Sequence, residues 1–306
     1  MKPYDFRKAL PGRRSILWYC AIEMASRFSR RTFIATTAAA AAPLAALAKQ
    51  KEKKIPIGLE LYSVRDELKK DPSATLQEVG KMGYECVEFF APYFEWDAAH
   101  AKEVRKQLDD IGLSCYSTHN DEKSFTADGM AHAIELNKIL GTHYVVLASP
   151  GKKLTTIDEY KQIADMLNHA NKAMELQGLH AGYHNHDAEW HAIGGQVPMQ
   201  VLAANTDKSI MLQLDVGTCV AAGADPVAWI NDHPKRIRSM HLKDWSPGKG
   251  YQVLFGEGVV PWKKIFAAAE NKGGVEYYLI EQEGSRFPEL ETAQRCLIAY
   301  RNLRKE

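Results

Sequence analysis

"IMLQLDVG", Ile210 to Gly217, is the stretch on which the fold turns. Residues two apart share a face of a strand, so Gln213 and Asp215 lie on one side and Leu212 and Leu214 on the other. "IRSMHLKD", from Ile237, divides the same way, with His241 and Lys243 against Met240 and Leu242. "EYYLIEQE", from Glu276, sets Glu281 and Glu283 against Tyr278 and Ile280. In each run the polar positions fall near the C-terminal end.

Working outward, the same kind of run recurs as "IPIGLELY" (from Ile55), "YECVEFF" (Tyr84), "LSCYSTH" (Leu113), "HYVVLA" (His143) and "LHAGYHNH" (Leu179). Amphipathic stretches such as "PSATLQEVGKMG" and "TIDEYKQIADMLNHANKAMELQG" separate them. Several open on Pro, Asp, Ser or Thr and close on Gly, the usual helix punctuation. Pro288 to Arg304 reads as the last helix. Eight strands and eight helices in about 250 residues predict a single-domain (β/α)₈ TIM barrel over 55–306. An open doubly wound sheet is the alternative, but no glycine-rich phosphate fingerprint follows the first strand.

The N-terminal 48 residues read differently. Ser29-Arg30-Arg31-Thr32-Phe33-Ile34 is a twin-arginine start, followed by an Ala-rich apolar run and the small-x-small site Ala46-Leu47-Ala48. Residues 1–48 are therefore expected to be an over-extended start, up to Met24, plus a twin-arginine signal peptide, with 49–54 a tether. This implies a periplasmic or otherwise exported protein. The apolar run is too short for a convincing membrane span, so no stable span is expected once the signal is removed. The segment carries eight of the 39 basic and two of the 38 acidic side chains, leaving 31 and 36, a net −5. That balance opposes nucleic-acid binding. Cys86, Cys115, Cys219 and Cys296 form no CxxC pair and read as small core residues.

Barrel enzymes carry their chemistry at the C-terminal strand ends. Strand five ends in His184 and His186, strand six in Asp215, strand seven in His241 and Lys243, strand eight in Glu281 and Glu283. Strand three ends in His119; strands one and two carry Glu60 and Glu88. Buried carboxylates and imidazoles are costly unless paired or bound to a cation. A divalent metal on His184, Asp215, His241 and Glu281 would offset that cost. Two nitrogens and two carboxylates suit Mn²⁺, Zn²⁺, Co²⁺ or Fe²⁺, with Mg²⁺ a poorer match.

"LQLDVGTCVAAGADPVAWI", "RIRSMHLKDW", "FGEGVVPWKKIF" and "YYLIEQE" resemble the xylose isomerase-like TIM barrel family of sugar phosphate isomerases and epimerases. "IGLELYSVRDEL" and "GYECVEFF" look like its first two strands, so the resemblance spans 55–306. It implies metal ligands Glu, Asp, His and Glu on strands five to eight. Asp215, His241 and Glu281 match the last three, and His184 stands where the first glutamate is expected. In those epimerases the two glutamates also trade the substrate proton, so His184 departs from a symmetrical two-glutamate mechanism. Asp187 or Glu189 reaching back from the next loop is an alternative fifth-strand carboxylate.

The resemblance implies a metal-dependent isomerase or epimerase. Its substrate is a small-molecule carbohydrate, taken as an unphosphorylated sugar or keto-sugar because the chain is expected to be exported. The step is proton abstraction next to a carbonyl, with Glu281, His184 and Lys243 as catalytic candidates. "YHNHD" barrels among exported members of the family extend the chemistry to elimination or hydration, hence a keto-glycoside lyase or hydratase as alternative. Glu60, Glu88, His119, His186, Trp190 and Trp245 are candidate substrate contacts, the tryptophans by stacking. A non-catalytic carbohydrate-binding barrel and a homo-oligomer are both compatible with the chain. An abasic-site nuclease is not favoured, since Thr218 stands where that family carries a histidine.

Overall fold

In the computed structural model, which describes residues 54–305, eight parallel strands close into a barrel in the order β1-β2-β3-β4-β5-β6-β7-β8. They are β1 (Ile57–Glu60), β2 (Cys86–Phe89), β3 (Ser114–Asp121), β4 (Tyr144–Ser149), β5 (His180–His184), β6 (Met211–Asp215), β7 (Ser239–Leu242) and β8 (Tyr277–Ile280). β1 pairs with both β2 and β8, which completes the ring. The twin-arginine segment and most of the tether lie outside the described residues. No helix among the described residues is long and apolar enough to cross a membrane.

The alternation seen in the sequence sorts the side chains. Leu212, Leu214, Met240, Leu242, Tyr278 and Ile280 belong to the large apolar layer shared with the helices. The other face closes the barrel interior. Cys86, Val146, Met211 and Leu279, from the even strands, pack with Tyr144 and Tyr277 into a separate inner cluster. Alternate strands supplying one layer is the packing rule of this fold. Gly58 on β1 faces that cluster, and a Cβ there would meet Cys86 Sγ at 2.4 Å. The four described cysteines are buried and free.

Ten α-helices, rather than eight, surround the described strands, because two connections are broken. After β1, α1 (Arg65–Lys70) stops at Asp71-Pro72, and α2 (Pro72–Met82) restarts with Asp71 capping Ala74 N at 2.9 Å. After β6, α7 (Val216–Ala221) is a short insert before α8 (Pro226–Asp232), which Asp225 caps. α3 (Ala98–Ile111), α4 (Ala127–Leu140), α5 (Ile157–Glu175), α6 (Pro198–Asn205), α9 (Trp262–Ala268) and α10 (Glu289–Leu303) fill the remaining connections.

Candidate active site

The inner face turns polar above the apolar layer, and the strand ends converge there. Glu60, Glu88, His184, Asp215, His241, Lys243 and Glu281 are all buried. His241 is the hub. Its Nε2 lies 2.7 Å from Glu88 Oε2 and its Nδ1 2.7 Å from Glu281 Oε2. An imidazole that donates from both nitrogens to carboxylates is an imidazolium. Burial opposes that charge, but Glu88 and Glu281 outweigh it and hold the ring well above its ordinary range.

Gln213 organises the other two rings. Its Oε1 accepts from His184 Nδ1 at 3.0 Å and His119 Nε2 at 2.7 Å, and its Nε2 donates to Glu88 Oε1 at 3.0 Å. Ser117 donates to the same glutamate oxygen. With Nδ1 carrying the proton, His184 Nε2 keeps a lone pair, 3.9 Å from Asp215 Oδ2. Burial, with His241 and His119 nearby, holds His184 well below its ordinary range, so it is neutral.

Asp215 Oδ1 caps α7 through Thr218 N at 2.9 Å, while Oδ2 is buried without a hydrogen-bond partner. Burial raises the Asp215 carboxyl and Lys243 only partly opposes it. Lys243 Nζ stands 3.7 Å from Asp215 Oδ2 and 3.4 Å from Glu281 Oε1, and also pairs with Glu283. Burial of Glu281 is outweighed by Lys243 and His241, which hold its carboxyl well below the usual range. Lys243 is itself raised: burial opposes its charge, and the surrounding carboxylates outweigh it. Glu60 differs. Burial and the charge of Glu281 push it well above the carboxylate range; Oε2 accepts from Tyr62 N at 2.9 Å, and Oε1 has no partner.

These donors fit a divalent cation. One ligand atom each from His184, Asp215 and Glu281 lies within 4.8 Å of the others, and the same holds for His119, His184 and His241. The orphaned Asp215 Oδ2 and the free Nε2 of His184 are what a cation would satisfy. His241 was expected in the same set, but both its nitrogens are taken by carboxylates. His184, Asp215 and Glu281 form the group with an unused oxygen and an unused nitrogen.

A cavity of 450 Å³ opens over this cluster, lined by Glu60, His119, His184, His186, Glu281 and Glu283, with Tyr62 and Phe90 at its side. Trp190 instead packs edge-on against Trp229 at 5.0 Å, and neither it nor Trp245 lines the cavity. Glu189 turns into the protein, accepting from Tyr183 Oη at 2.7 Å and His186 N at 2.9 Å, so it does not reach back as a fifth-strand carboxylate. Asp187 is exposed. Sequence reasoning missed Gln213 as a site residue, although it shares the face of Asp215. It also missed Asn185, whose Oδ1 accepts from Asp215 N at 3.0 Å, and Tyr251, whose ring lies 5.1 Å from Lys243 Nζ. Tyr62 and Phe90 carried no signal, because apolar residues just past a strand end read as core.

Fold and mouth together define a (β/α)₈ barrel with its ionisable groups gathered at the C-terminal strand ends. Within that class the chain belongs to the xylose isomerase-like TIM barrel family, whose model matches residues 76–300. Among curated proteins it is similar to the inosose dehydratase of Bacillus cereus (strain AH820), 25% identical over 150 residues, which is 43% of this chain and 50% of that protein. The chain thus spans about half the length of the curated relatives it matches. Two crystal structures of sugar phosphate isomerases/epimerases from Parabacteroides distasonis ATCC 8503 share the fold. One has TM-score 0.69 and 24% identity over 82% of this chain and 94% of that one. The other has TM-score 0.67 and 26% identity over 79% and 96%.

Proposed function

We propose that the barrel is a metal-dependent enzyme that removes a proton next to the carbonyl of an unphosphorylated sugar or keto-sugar. The observation that carries this is the convergence of His184 Nε2, the orphaned Asp215 Oδ2 and Glu281 beneath an open cavity. A divalent cation held by His184, Asp215 and Glu281 would supply Lewis-acid stabilisation of a developing enolate oxygen. The remaining steps belong to side chains. Glu281 is kept ionised by His241 and Lys243 and takes the substrate proton. Lys243, fixed as an ammonium, stabilises negative charge beside it. Glu60, whose carboxyl is pushed well above the carboxylate range by burial and the charge of Glu281, stands in the cavity wall as a polar contact for the substrate. His186, exposed at the rim, is an imidazole able to give or return a proton.

Whether the proton returns to carbon or a hydroxyl leaves separates an isomerase or epimerase from a lyase or hydratase. The second outcome is supported on equal terms. The fifth-strand position holds an imidazole instead of a second glutamate, and the inosose dehydratase relatives are named for loss of water. Both share the first step, so one experiment tests both. Protein loaded with Mn²⁺, Zn²⁺, Co²⁺ or Fe²⁺ is incubated in D₂O with a panel of keto-sugars and aldoses, and the products are read by NMR. Deuterium at a carbon next to the carbonyl, lost in Glu281→Gln, is expected. Full exchange by metal-free protein would sink the metal reading. Sugar binding without exchange under every metal would favour a non-catalytic binding barrel.

A further inference from the structure

Beside the mouth lies a second cavity of 730 Å³, larger than the 450 Å³ of the mouth itself. It is bordered by α1 and α2 on one side and by α3 with the turn after β2 on the other. Tyr62 and Phe90 line both cavities. Their rings meet edge to face, with centroids 5.2 Å apart, so the two spaces share one aromatic partition.

The lining follows from strand alternation. Glu88 points into the barrel and pairs with His241, so its neighbour Phe89 faces outward, into the second cavity. Trp96 packs edge-on to Phe89 at 5.1 Å, and Leu76 and Val104 extend the apolar lining from α2 and α3. At the rim, Gln107 Nε2 donates to Ser73 Oγ at 2.7 Å and to Ser73 O at 3.0 Å. These polar groups already satisfy one another and ask little of a ligand. Arg65, Asp66, Lys69, Asp71 and His100 also line the cavity, while the aromatic and aliphatic side chains between them suit a hydrophobic group, and the volume is that of a small-molecule site.

We propose that this cavity receives an apolar, aromatic aglycone attached to the sugar whose ring occupies the mouth. The substrate would then be an aryl glycoside or its keto form, held across the Tyr62–Phe90 partition. The proposal rests on the sugar reading of the mouth given above. It accounts for a feature that a free monosaccharide leaves unused: an apolar space that adjoins the polar one, with Tyr62 and Phe90 lining both.

The test compares 4-nitrophenyl and methyl β-D-glucopyranosides, and their keto-oxidised forms, by calorimetric titration of the metal-loaded full chain. The aryl members are expected to bind about tenfold more tightly. Val104→Phe and Gln107→Trp, which fill the cavity from its wall and its rim, should bring the aryl affinity down to that of the methyl compound. Unchanged methyl affinity certifies the fold of each variant, and the rim substitution touches no core position. Equal affinities in the wild type, no aryl binding, or a preference that survives both substitutions would overturn the proposal. Solvent-deuterium exchange on the same sugars separates the two readings. Exchange without aryl preference removes the cavity's role alone, whereas preference without exchange removes the catalytic reading alone.

Discussion

Gln213 Oε1 accepts from His184 Nδ1 at 3.0 Å, so the amide of one strand sets which nitrogen of the neighbouring strand's imidazole is free. Partners of this kind fix the tautomer and aim of a metal-binding histidine, and their loss weakens metal affinity by about 10–100-fold. Gln213→Leu is expected to lower affinity for Zn²⁺ or Mn²⁺ within that range while the circular dichroism of the barrel is retained. A competitive chelator titration reads the effect. Unchanged affinity would mean that His184 does not depend on Gln213 for its orientation.

Asp215 serves two ends with its two oxygens. Oδ1 caps α7, while Oδ2 has no hydrogen bond. Asp215→Asn keeps an acceptor for Thr218 N and removes the charge. The metal-free midpoint of thermal unfolding is therefore expected to stay near the wild-type value. The response to metal should vanish. A ligand at a hundred times its Kd stabilises the folded state by about 2.7 kcal/mol, which the wild type should show and the variant should lack. Differential scanning calorimetry with and without Zn²⁺ distinguishes the two, and equal metal-induced shifts would exclude Asp215 as a ligand.

The barrel was legible because β6 and β7 alternate apolar and polar side chains toward their C-terminal ends. Leu212, Leu214, Met240 and Leu242 pack outward while Gln213, Asp215 and His241 face the interior. The strand-end rule then located the ionisable groups. Partner choice was not legible. The sequence set His241 beside Asp215 as equals, yet closure brings Glu88, 153 positions away, to within 2.7 Å of its ring. Pairing across the barrel interior leaves no spacing in the chain, because it depends on which strand ends face each other. For the same reason Trp190, four positions beyond His186, reads as a stacking residue and in fact packs on Trp229.

Asp244 is predicted to hold the loop that follows β7. It accepts from Trp245 N at 2.8 Å, from Gly256 N at 2.8 Å and from Trp262 Nε1 at 2.9 Å. Gly258 passes so near that a Cβ would meet Asp244 Oδ1 at 2.0 Å. Asp244→Ala leaves a buried indole N–H and two amides without their acceptor, at a cost of about 3 kcal/mol. Urea unfolding should show that loss, and Asp244→Asn should recover part of it. The loop also carries Tyr251 beside Lys243, so Asp244→Ala should reduce turnover more than the stability loss alone explains.

Glu159 gives a pH dependence whose sign is fixed by its contacts. Its carboxylate accepts from Lys152 Nζ at 2.8 Å and from Thr155 N at 2.9 Å, and it closes a capping box with Thr156 at the start of α5. The Lys152 bond first, then the Thr155 amide, lower its pKa to about 2. An unfolded glutamate titrates near about 4.3. A carboxyl whose folded pKa is depressed stabilises fully above the unfolded value, and that contribution is lost as pH falls through the folded one. Glu159→Gln should therefore lower the urea midpoint at neutral pH, and the gap to wild type should close between about pH 4 and pH 2. A gap that persists undiminished at the acid end would show that the residue acts through the shape of the cap and not through its charge.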